Sequence, residues 1–354
     1  MPSIYPCGRL ARNGSRAFPL LQRHNQLIRI AIFIVSIALG ALGAWAVGRY
    51  ARKVGLLDCP NERSSHHIPT PKGGGIGIFV VFVLSATQSG LPTALWAPIS
   101  VLAAIAFWGD RIDLPPKYRL YTQLFLMGTL VAGSGHLPPD PLWWIPFVVF
   151  WTVFIVGTAN FYNFMDGING IAGITGVIGF GLFGFYAHFN VGANGLSTVA
   201  VCLSCACLGF LPFNMPNAKV FMGDIGSILL GSVFAGLVFL TSGTLPDFLC
   251  LASFLFPFYA DELTTMLVRV KDGQDLTKPH RRHIYQLLAN EKEIPHWKIS
   301  LGFGSIQLVV GVGAILMKPY GVFALFTFLA VCFVLFASLS FPLRASLEQS
   351  LQHR

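Results

Sequence analysis

The chain has 354 residues, of which 54% are hydrophobic and 11% are charged, and its formal net charge is +9. Soluble domains carry about 25% charged residues, so this composition excludes an ordinary soluble protein. We predict an all-α, polytopic integral membrane protein, with the lipid bilayer as a partner and no nucleic-acid partner.

Apolar runs of about 20 residues are long enough to cross a bilayer as helices. The sequence contains eleven such runs, several of them short or rich in glycine, and we predict about 10 or 11 transmembrane helices. The runs lie near residues 28–48, 74–90, 94–109, 120–136, 142–159, 170–189, 195–213, 225–243, 247–268, 299–317 and 320–341. Residues 28–343 then form a single transmembrane domain, residues 1–27 are expected to be a disordered tail, and residues 344–354 form a cytoplasmic tail.

The distribution of basic residues orients this topology. The loops on one side of the membrane, together with the C-terminal tail, carry 18 Lys and Arg residues, whereas the opposite loops carry only Lys318. Because basic loops stay in the cytoplasm, we predict an outside N-terminus and a cytoplasmic C-terminus. Five arginines in the first 30 residues oppose this assignment, but the many short loops outweigh one tail. The loops assigned to the cytoplasm are 49–73, 110–119, 160–169, 214–224 and 269–298.

The unusual polar residues fall in these cytoplasmic loops. Lys72 precedes three glycines, including Gly74, at a helix start, where backbone N–H groups and a positive charge suit an anion. The alternative is a glycine hinge at the membrane entrance. Asp110 lies at a helix end next to basic residues, which is a weak signal that also fits a solvated loop.

Two glycine-framed segments carry further aspartates. Asn163, Asp166 and Asn169 are spaced by three residues, so on a helix they would share one face suited to a divalent cation with a nucleotide or sugar. Asp224 precedes the next apolar run. Both aspartates could instead cap helices, and the neighbouring Phe221 could stack on a base or pack in lipid.

The longest cytoplasmic loop contains a His-Arg-Arg-His segment. This segment suits a diphosphate, because histidine and arginine side chains bind phosphate groups. A metal bound by the two histidines and a basic patch against anionic headgroups are the alternatives. The residues concerned are His280, Arg281, Arg282 and His283.

Taken in this order, the segments resemble the polyprenyl-phosphate N-acetylhexosamine-1-phosphate transferases of glycosyltransferase family 4. The similarity covers residues of about 55 to 290 and rests on the motifs Pro-Thr-Pro-x-Gly-Gly, Asn-x-x-Asp-Gly-Ile-x-Gly, Phe-Met-Gly-Asp-x-Gly-Ser and His-x-x-His. The segment His-Arg-x-His-x-Tyr-Gln is most similar to the branch that starts O-antigen chains.

The resemblance implies a reaction and its partners. A UDP-N-acetylhexosamine, or its 6-deoxy derivative, would give its sugar-1-phosphate to undecaprenyl phosphate and release UMP. The cofactor would be Mg²⁺, with Mn²⁺ as a substitute. The location would be the bacterial inner membrane, with the active site on the cytoplasmic face and a role in lipopolysaccharide O-antigen or other envelope polysaccharide synthesis. A homodimer would be expected by analogy with relatives.

The resemblance also implies roles for individual residues. Asp224 and Asp166 would bind the metal, and Asp110 and Asp166 would take part in catalysis. Other residues would bind the nucleotide, the sugar and the diphosphate of the UDP-sugar. The implied nucleotide and sugar contacts are Lys72, Gly74, Asn163, Asn169, Asn214 and Phe221, and the implied diphosphate contacts are His280, Arg281, Arg282 and His283.

Two departures keep alternatives open. Gly109 stands where the family usually has the first of two adjacent aspartates, and Asn169 stands where it often has another. A catalytically inactive lipid-binding relative is therefore one alternative. A transporter is the other, although it would place polar groups nearer mid-membrane. Asp261 and Glu262 are the polar residues nearest to mid-membrane, and we expect them to pair with Arg269 and Lys271 at headgroup level.

Overall fold

A computed structural model describes residues 14–60, 68–112, 114–276, 278 and 280–352 of the chain. Within these residues the protein is a bundle of α-helices with one short antiparallel ribbon, β1 (Leu57–Asp58) paired with β2 (Thr70–Pro71). The helices are α1 (Gly14–Val54), α2 (Ile76–Gln88), α3 (Thr93–Ile112), α4 (Pro116–Ala132), α5 (Trp144–Phe164), α6 (Ile171–Tyr186), α7 (Asn194–Asn214), α8 (Asp224–Thr241), α9 (Leu245–Ala252), α10 (Phe256–Lys271), α11 (Ile284–Asn290), α12 (His296–Met317) and α13 (Val322–Gln352).

The helices confirm the prediction of an all-α, polytopic membrane protein. In the described part of the chain, eight helices are long and apolar enough to cross a bilayer. Each of the eleven predicted runs coincides with a helix, although the run at 247–268 is divided between α9 and α10 by one turn of 3₁₀ helix. The exact number of crossings and the sidedness of the two termini stay predictions.

Helices extend into both segments that the sequence assigns to tails. Helix α1 already begins at Gly14, because residues 14–27 contain good helix formers such as Ala, Leu, Gln and Arg and run directly into the first apolar segment. Residues 1–13 lie outside the described residues. At the other end, α13 continues through residues 344–352.

Helix α8 lies at the centre of the bundle. Every residue from Ile225 to Phe239 is buried, so the helix is surrounded by protein on all sides. Helix α13, by contrast, has few fully buried residues along its apolar part, as expected for a helix at the edge of the bundle. The central position of α8 gives its first residue, Asp224, a fixed place at one end of the bundle.

Candidate active site

Two loops are joined through their backbones at the start of α8. Lys72 and Phe221 form a parallel bridge, and the Phe221 N–H donates to the Pro71 carbonyl at 2.8 Å. The N–H groups of Gly74 and Gly75 donate to the Phe221 and Met222 carbonyls, both at 2.9 Å. These two amides are thus already engaged and are not available to an anion, so the predicted nucleotide contact of Gly74 would have to use other atoms.

The glycines in these loops allow an unusually close approach. A Cβ atom on Gly75 would lie 2.4 Å from the Cα of Gly226. Gly223 has a positive φ of 72°, and a Cβ there would lie 2.7 Å from the Gly73 nitrogen. Since any side chain would separate the two loops, we attribute the glycine pattern to packing that holds Asp224 in place.

Asp224 is surrounded by polar side chains from three helices. Its Oδ1 accepts a hydrogen bond of 2.9 Å from the Asn163 amide, and its Oδ2 pairs with the Arg119 guanidinium. The Asn163 amide also donates to the Ser227 hydroxyl at 2.8 Å. These contacts bring the ends of α4, α5 and α8 together around one carboxylate.

Asp110 adjoins this carboxylate at the end of α3. Its Oδ2 accepts a hydrogen bond of 3.0 Å from the Asp224 backbone N–H. Its Oδ1 lies 3.5 Å from the Lys72 ammonium. Asp110 and Asp224 are therefore neighbours, with Lys72 beside the Asp110 carboxylate and Arg119 beside the Asp224 carboxylate.

Asp166 lies near the same group on the turn between α5 and α6. Burial, together with the nearby negative charge of Asp110, raises the pKa of Asp166 to about 8. Without a bound cation, the carboxyl is therefore protonated at neutral pH. A cation placed among these oxygens would favour the ionised form.

The raised pKa of Asp166 predicts how stability depends on pH. A carboxyl whose pKa is higher in the folded state stabilises the fold below its unfolded pKa, near 4, and loses this contribution as the pH rises through about 8. With EDTA present, we expect the melting temperature of the wild type to fall more steeply between about pH 5 and about pH 8 than that of Asp166→Asn. Parallel melting curves for the two proteins would contradict the assignment.

The two other predicted amides connect segments of the fold. Asn214 is 4% exposed; it accepts from the Gly170 N–H at 2.7 Å and donates to the Val220 carbonyl at 2.9 Å. Asn169 donates to the Pro216 carbonyl at 3.2 Å. Both side chains hold the turn before α6 against the loop before α8, and their predicted contacts with the nucleotide stay predictions.

The His-Arg-Arg-His segment is divided between buried and partly exposed residues. His283 is only 2% exposed and stacks on Tyr285, with ring centroids 5.5 Å apart. Burial, assisted by nearby positive charge, lowers the pKa values of His280 and His283 to about 3. Both rings are therefore neutral at physiological pH, and the positive charge of this segment comes from Arg281 and Arg282.

Arg282 has an acidic partner in the same loop. Its guanidinium contacts the Asp272 carboxylate at 2.5 Å. The Tyr285 hydroxyl donates to the Phe164 carbonyl at 2.8 Å, which connects the loop to the segment that carries Asn163 and Asp166. The diphosphate contacts predicted for the four residues of the segment stay predictions.

Sequence reasoning missed Arg119 and Ser227. Arg119 is one of several basic residues in its loop, and its spacing from Asp224 by 105 positions gives no local signal. Ser227 is visible in the sequence as part of Gly223-Asp224-Ile225-Gly226-Ser227, and its distance of three residues from Asp224 places both on one helix face. That spacing could have identified Ser227.

The donor atoms at this site suit Mg²⁺. Among the described residues, no group of three or more His, Cys, Asp or Glu side chains is placed to hold a metal ion. Mg²⁺ is usually bound by one or two carboxylates together with waters and substrate phosphates. The carboxylates of Asp224 and Asp166 would provide that limited set, and Lys72 and Arg119 add positive charge for phosphate groups.

Comparison with known proteins finds a family match for the middle part of the chain. Residues 92–242 match the family described as glycosyl transferase family 4. The chain is 27% identical to the probable undecaprenyl-phosphate N-acetylglucosaminyl 1-phosphate transferase of Bacillus subtilis (strain 168), over 83% of this chain and 86% of the relative. It is 29% identical to the undecaprenyl-phosphate alpha-N-acetylglucosaminyl 1-phosphate transferase of Escherichia coli O157:H7, over 84% of each.

A third relative has a different name. The chain is 34% identical to the phospho-N-acetylmuramoyl-pentapeptide-transferase of Staphylococcus saprophyticus, over 57% of this chain and 64% of the relative. The region that matches the family, residues 92–242, contains four residues that lie at one end of the bundle: Asp110, Asn163, Asp166 and Asp224. Residues 92–242 therefore match glycosyl transferase family 4, and the chain is an enzyme of the glycosyl-1-phosphate transferase type.

Proposed function

We propose that the protein transfers an N-acetylhexosamine-1-phosphate from a UDP-sugar to undecaprenyl phosphate and releases UMP. The observation that carries this proposal is the group of Asp110, Asp224, Asn163, Lys72 and Arg119 at one end of a membrane bundle. It joins two carboxylates to two cations, as a diphosphate with a divalent cation requires. The names of the relatives support the same reaction.

The chemistry needs alignment and neutralisation of charge more than a strong base. An oxygen of the carrier phosphate attacks the β-phosphorus of the UDP-sugar, and the bond from that phosphorus to the bridging oxygen breaks as UMP leaves. Phosphoryl transfer is catalysed mainly by positioning and by electrostatic stabilisation. Since the carrier phosphate is already anionic, it can attack with little help from a general base.

The side chains divide these tasks among themselves. Asp224 and Asp166 would hold Mg²⁺, or Mn²⁺ in its place, and the cation would neutralise negative charge on the diphosphate. Lys72 and Arg119 would bind phosphate oxygens, with Arg281 as a further cation. Asp110 accepts a hydrogen bond of 3.0 Å from the Asp224 backbone N–H and would help to position the reacting groups. Phe221, which is partly exposed, would stack on the uracil ring.

A more specific proposal concerns the biosynthetic pathway of the enzyme and its location in the cell. We propose a role in starting O-antigen or related envelope polysaccharides, at the cytoplasmic face of a bacterial inner membrane. The His280–Gln286 segment supports this branch, and the excess of basic residues in the loops around the site supports the face. The sugar would be an N-acetylhexosamine or its 6-deoxy derivative.

A direct test measures UMP release by the purified protein. The assay would offer undecaprenyl phosphate, Mg²⁺ and a panel of UDP-N-acetylhexosamines with their 6-deoxy derivatives. We expect UMP release that requires both the lipid and the divalent cation. Binding of UDP-sugar without turnover by any member of the panel would instead favour the inactive lipid-binding relative.

Gly109 gives a prediction of its own, because the site has room for a side chain there. A Cβ atom at this position would meet nothing closer than the Leu114 Cβ at 3.6 Å and the Arg119 Nε at 3.9 Å. We expect Gly109→Asp to fold and to reach half-maximal activity at a several-fold lower Mg²⁺ concentration, because it adds an acidic oxygen beside the site. Gly109→Asn, which has the same size without the charge, should not show this shift.

A further inference from the structure

A buried ion pair joins α10 to the lipid-facing helix α13. Asp261 is 0% exposed and Arg344 is 1% exposed, and their side chains contact each other. The Arg344 guanidinium also donates to Ser340 at 2.9 Å and to Thr264 at 3.3 Å. The pairing expected from sequence, with Arg269 and Lys271 at headgroup level, is therefore wrong for Asp261.

The same ion pair holds the backbone on both sides of His283. Asp261 Oδ1 accepts a hydrogen bond of 3.0 Å from the Ile284 N–H, and Arg344 Nη1 donates to the Arg282 carbonyl. Arg269 turns instead to the loop backbone and donates to the Asp275 and Lys278 carbonyls at 2.5 and 2.9 Å. The loop that carries His280 and Arg281 is thus fixed at its C-terminal end by a carboxylate and a guanidinium.

The arrangement is hard to explain by stability alone. Burying two charges carries a desolvation penalty that a well-packed apolar pair would avoid, so a buried ion pair is weak evidence for a stabilising role. An arginine in a helix that otherwise faces lipid is also unfavourable unless it is paired. Apolar side chains could not, however, bind the Arg282 carbonyl and the Ile284 N–H, which are two residues apart.

We infer that Arg344 and Asp261 are positioning residues that set the loop at residues 280–283 beside the carboxylate group. Tyr285 holds the loop at a second point. Its hydroxyl donates to the Phe164 carbonyl at 2.8 Å, and Phe164 lies between Asn163 and Asp166 in the chain. A loop held at both points presents Arg281 and His280 to the diphosphate in one position. The inference rests on the proposed transferase function for what the loop binds, but not for how it is held.

Arg344→Lys and Asp261→Asn test the inference with little change in side-chain size. Lysine keeps the charge but lacks the forked donor needed to bind Asp261 and the Arg282 carbonyl together. Because small misplacements of binding groups can cost about a hundredfold, we expect the KM for the UDP-sugar to rise about ten- to a hundredfold. The KM for undecaprenyl phosphate should change much less.

Lys318→Met provides the matched control. Lys318 pairs with Asp247 and Tyr186 on the side assigned to the outside, so the substitution also removes an ion pair between helices. It should lower thermal stability and leave both KM values unchanged. If the KM for the UDP-sugar rose equally in Lys318→Met and Arg344→Lys, general destabilisation would explain the rise. That result would overturn the inference.

Hydrogen exchange separates this inference from the proposed function. Backbone amides of residues 280–286 should exchange faster in Arg344→Lys than in the wild type, whereas amides near Lys318 should not. Unchanged exchange in a folded variant would show that the ion pair does not hold the loop. If the wild type releases no UMP while the exchange difference is found, the transferase proposal fails and the positioning role stands.

Discussion

Replacing Asp224 with alanine is expected to lower UMP release by about a thousandfold. The Asp224 carboxylate contacts Asn163 and Arg119, and the Asp224 backbone N–H donates to Asp110 at the end of α3. Alanine leaves the Arg119 guanidinium without its acidic partner and removes the carboxylate best placed for a divalent cation. The effect should appear mainly in kcat, because charge neutralisation matters most in the transition state.

Asp140→Ala is the control for Asp224→Ala. Asp140 accepts a hydrogen bond of 3.0 Å from the Leu142 N–H at the start of a short helical turn in a loop assigned to the outside. Its loss should leave UMP release unchanged. The metal assignment would be wrong if Asp224→Ala retained nearly wild-type activity, and the sidedness would need revision if Asp140→Ala lost it.

Arg119→Gln is expected to change metal binding and catalysis in opposite directions. In the structure the Arg119 guanidinium pairs with Asp224, the same carboxylate that a divalent cation would use. Removing this competing positive charge should tighten Mn²⁺ binding several-fold when no nucleotide is present, as measured by electron paramagnetic resonance. UMP release should fall about a hundredfold or more, because a cation that neutralises the diphosphate is lost.

Arg111→Gln is the matched control for this second experiment. Arg111 belongs to the same loop region but is exposed, and its guanidinium lies 6.0 Å from the centre of the Trp108 ring. We expect neither Mn²⁺ affinity nor UMP release to change appreciably. Weaker Mn²⁺ binding in Arg119→Gln would mean that the guanidinium supports the metal site instead of competing with the cation.

The sequence was sufficient for the membrane architecture because hydropathy acts locally. Each apolar run became a helix, and the glycine-framed segments marked the turns that carry Asp166 and Asp224. The convergence of Asp110, Asn163 and Asp224 was also predictable, since all three lie in loops assigned to one membrane face by their basic residues.

What the sequence could not provide were contacts made across the bundle. The anion-binding interpretation of Gly74 overlooked that its N–H would bind the Phe221 carbonyl, which lies 147 positions away. The pairing of Asp261 with Arg344, 83 positions apart, was likewise invisible, and nearer arginines and lysines suggested a different partner. A helical period shows which residues share a face, but it does not show which helix packs against that face.

The most direct measurement follows the β-phosphorus of the donor. The protein would be given a UDP-N-acetylhexosamine labelled with ³²P at the β-phosphate, together with undecaprenyl phosphate and Mg²⁺, and the label would be partitioned between the lipid and aqueous phases. Transfer of a sugar-1-phosphate predicts that the label moves into the lipid as UMP appears. Label that stays in the aqueous phase as UDP while sugar enters the lipid, or no transfer with any donor, would contradict the proposed reaction.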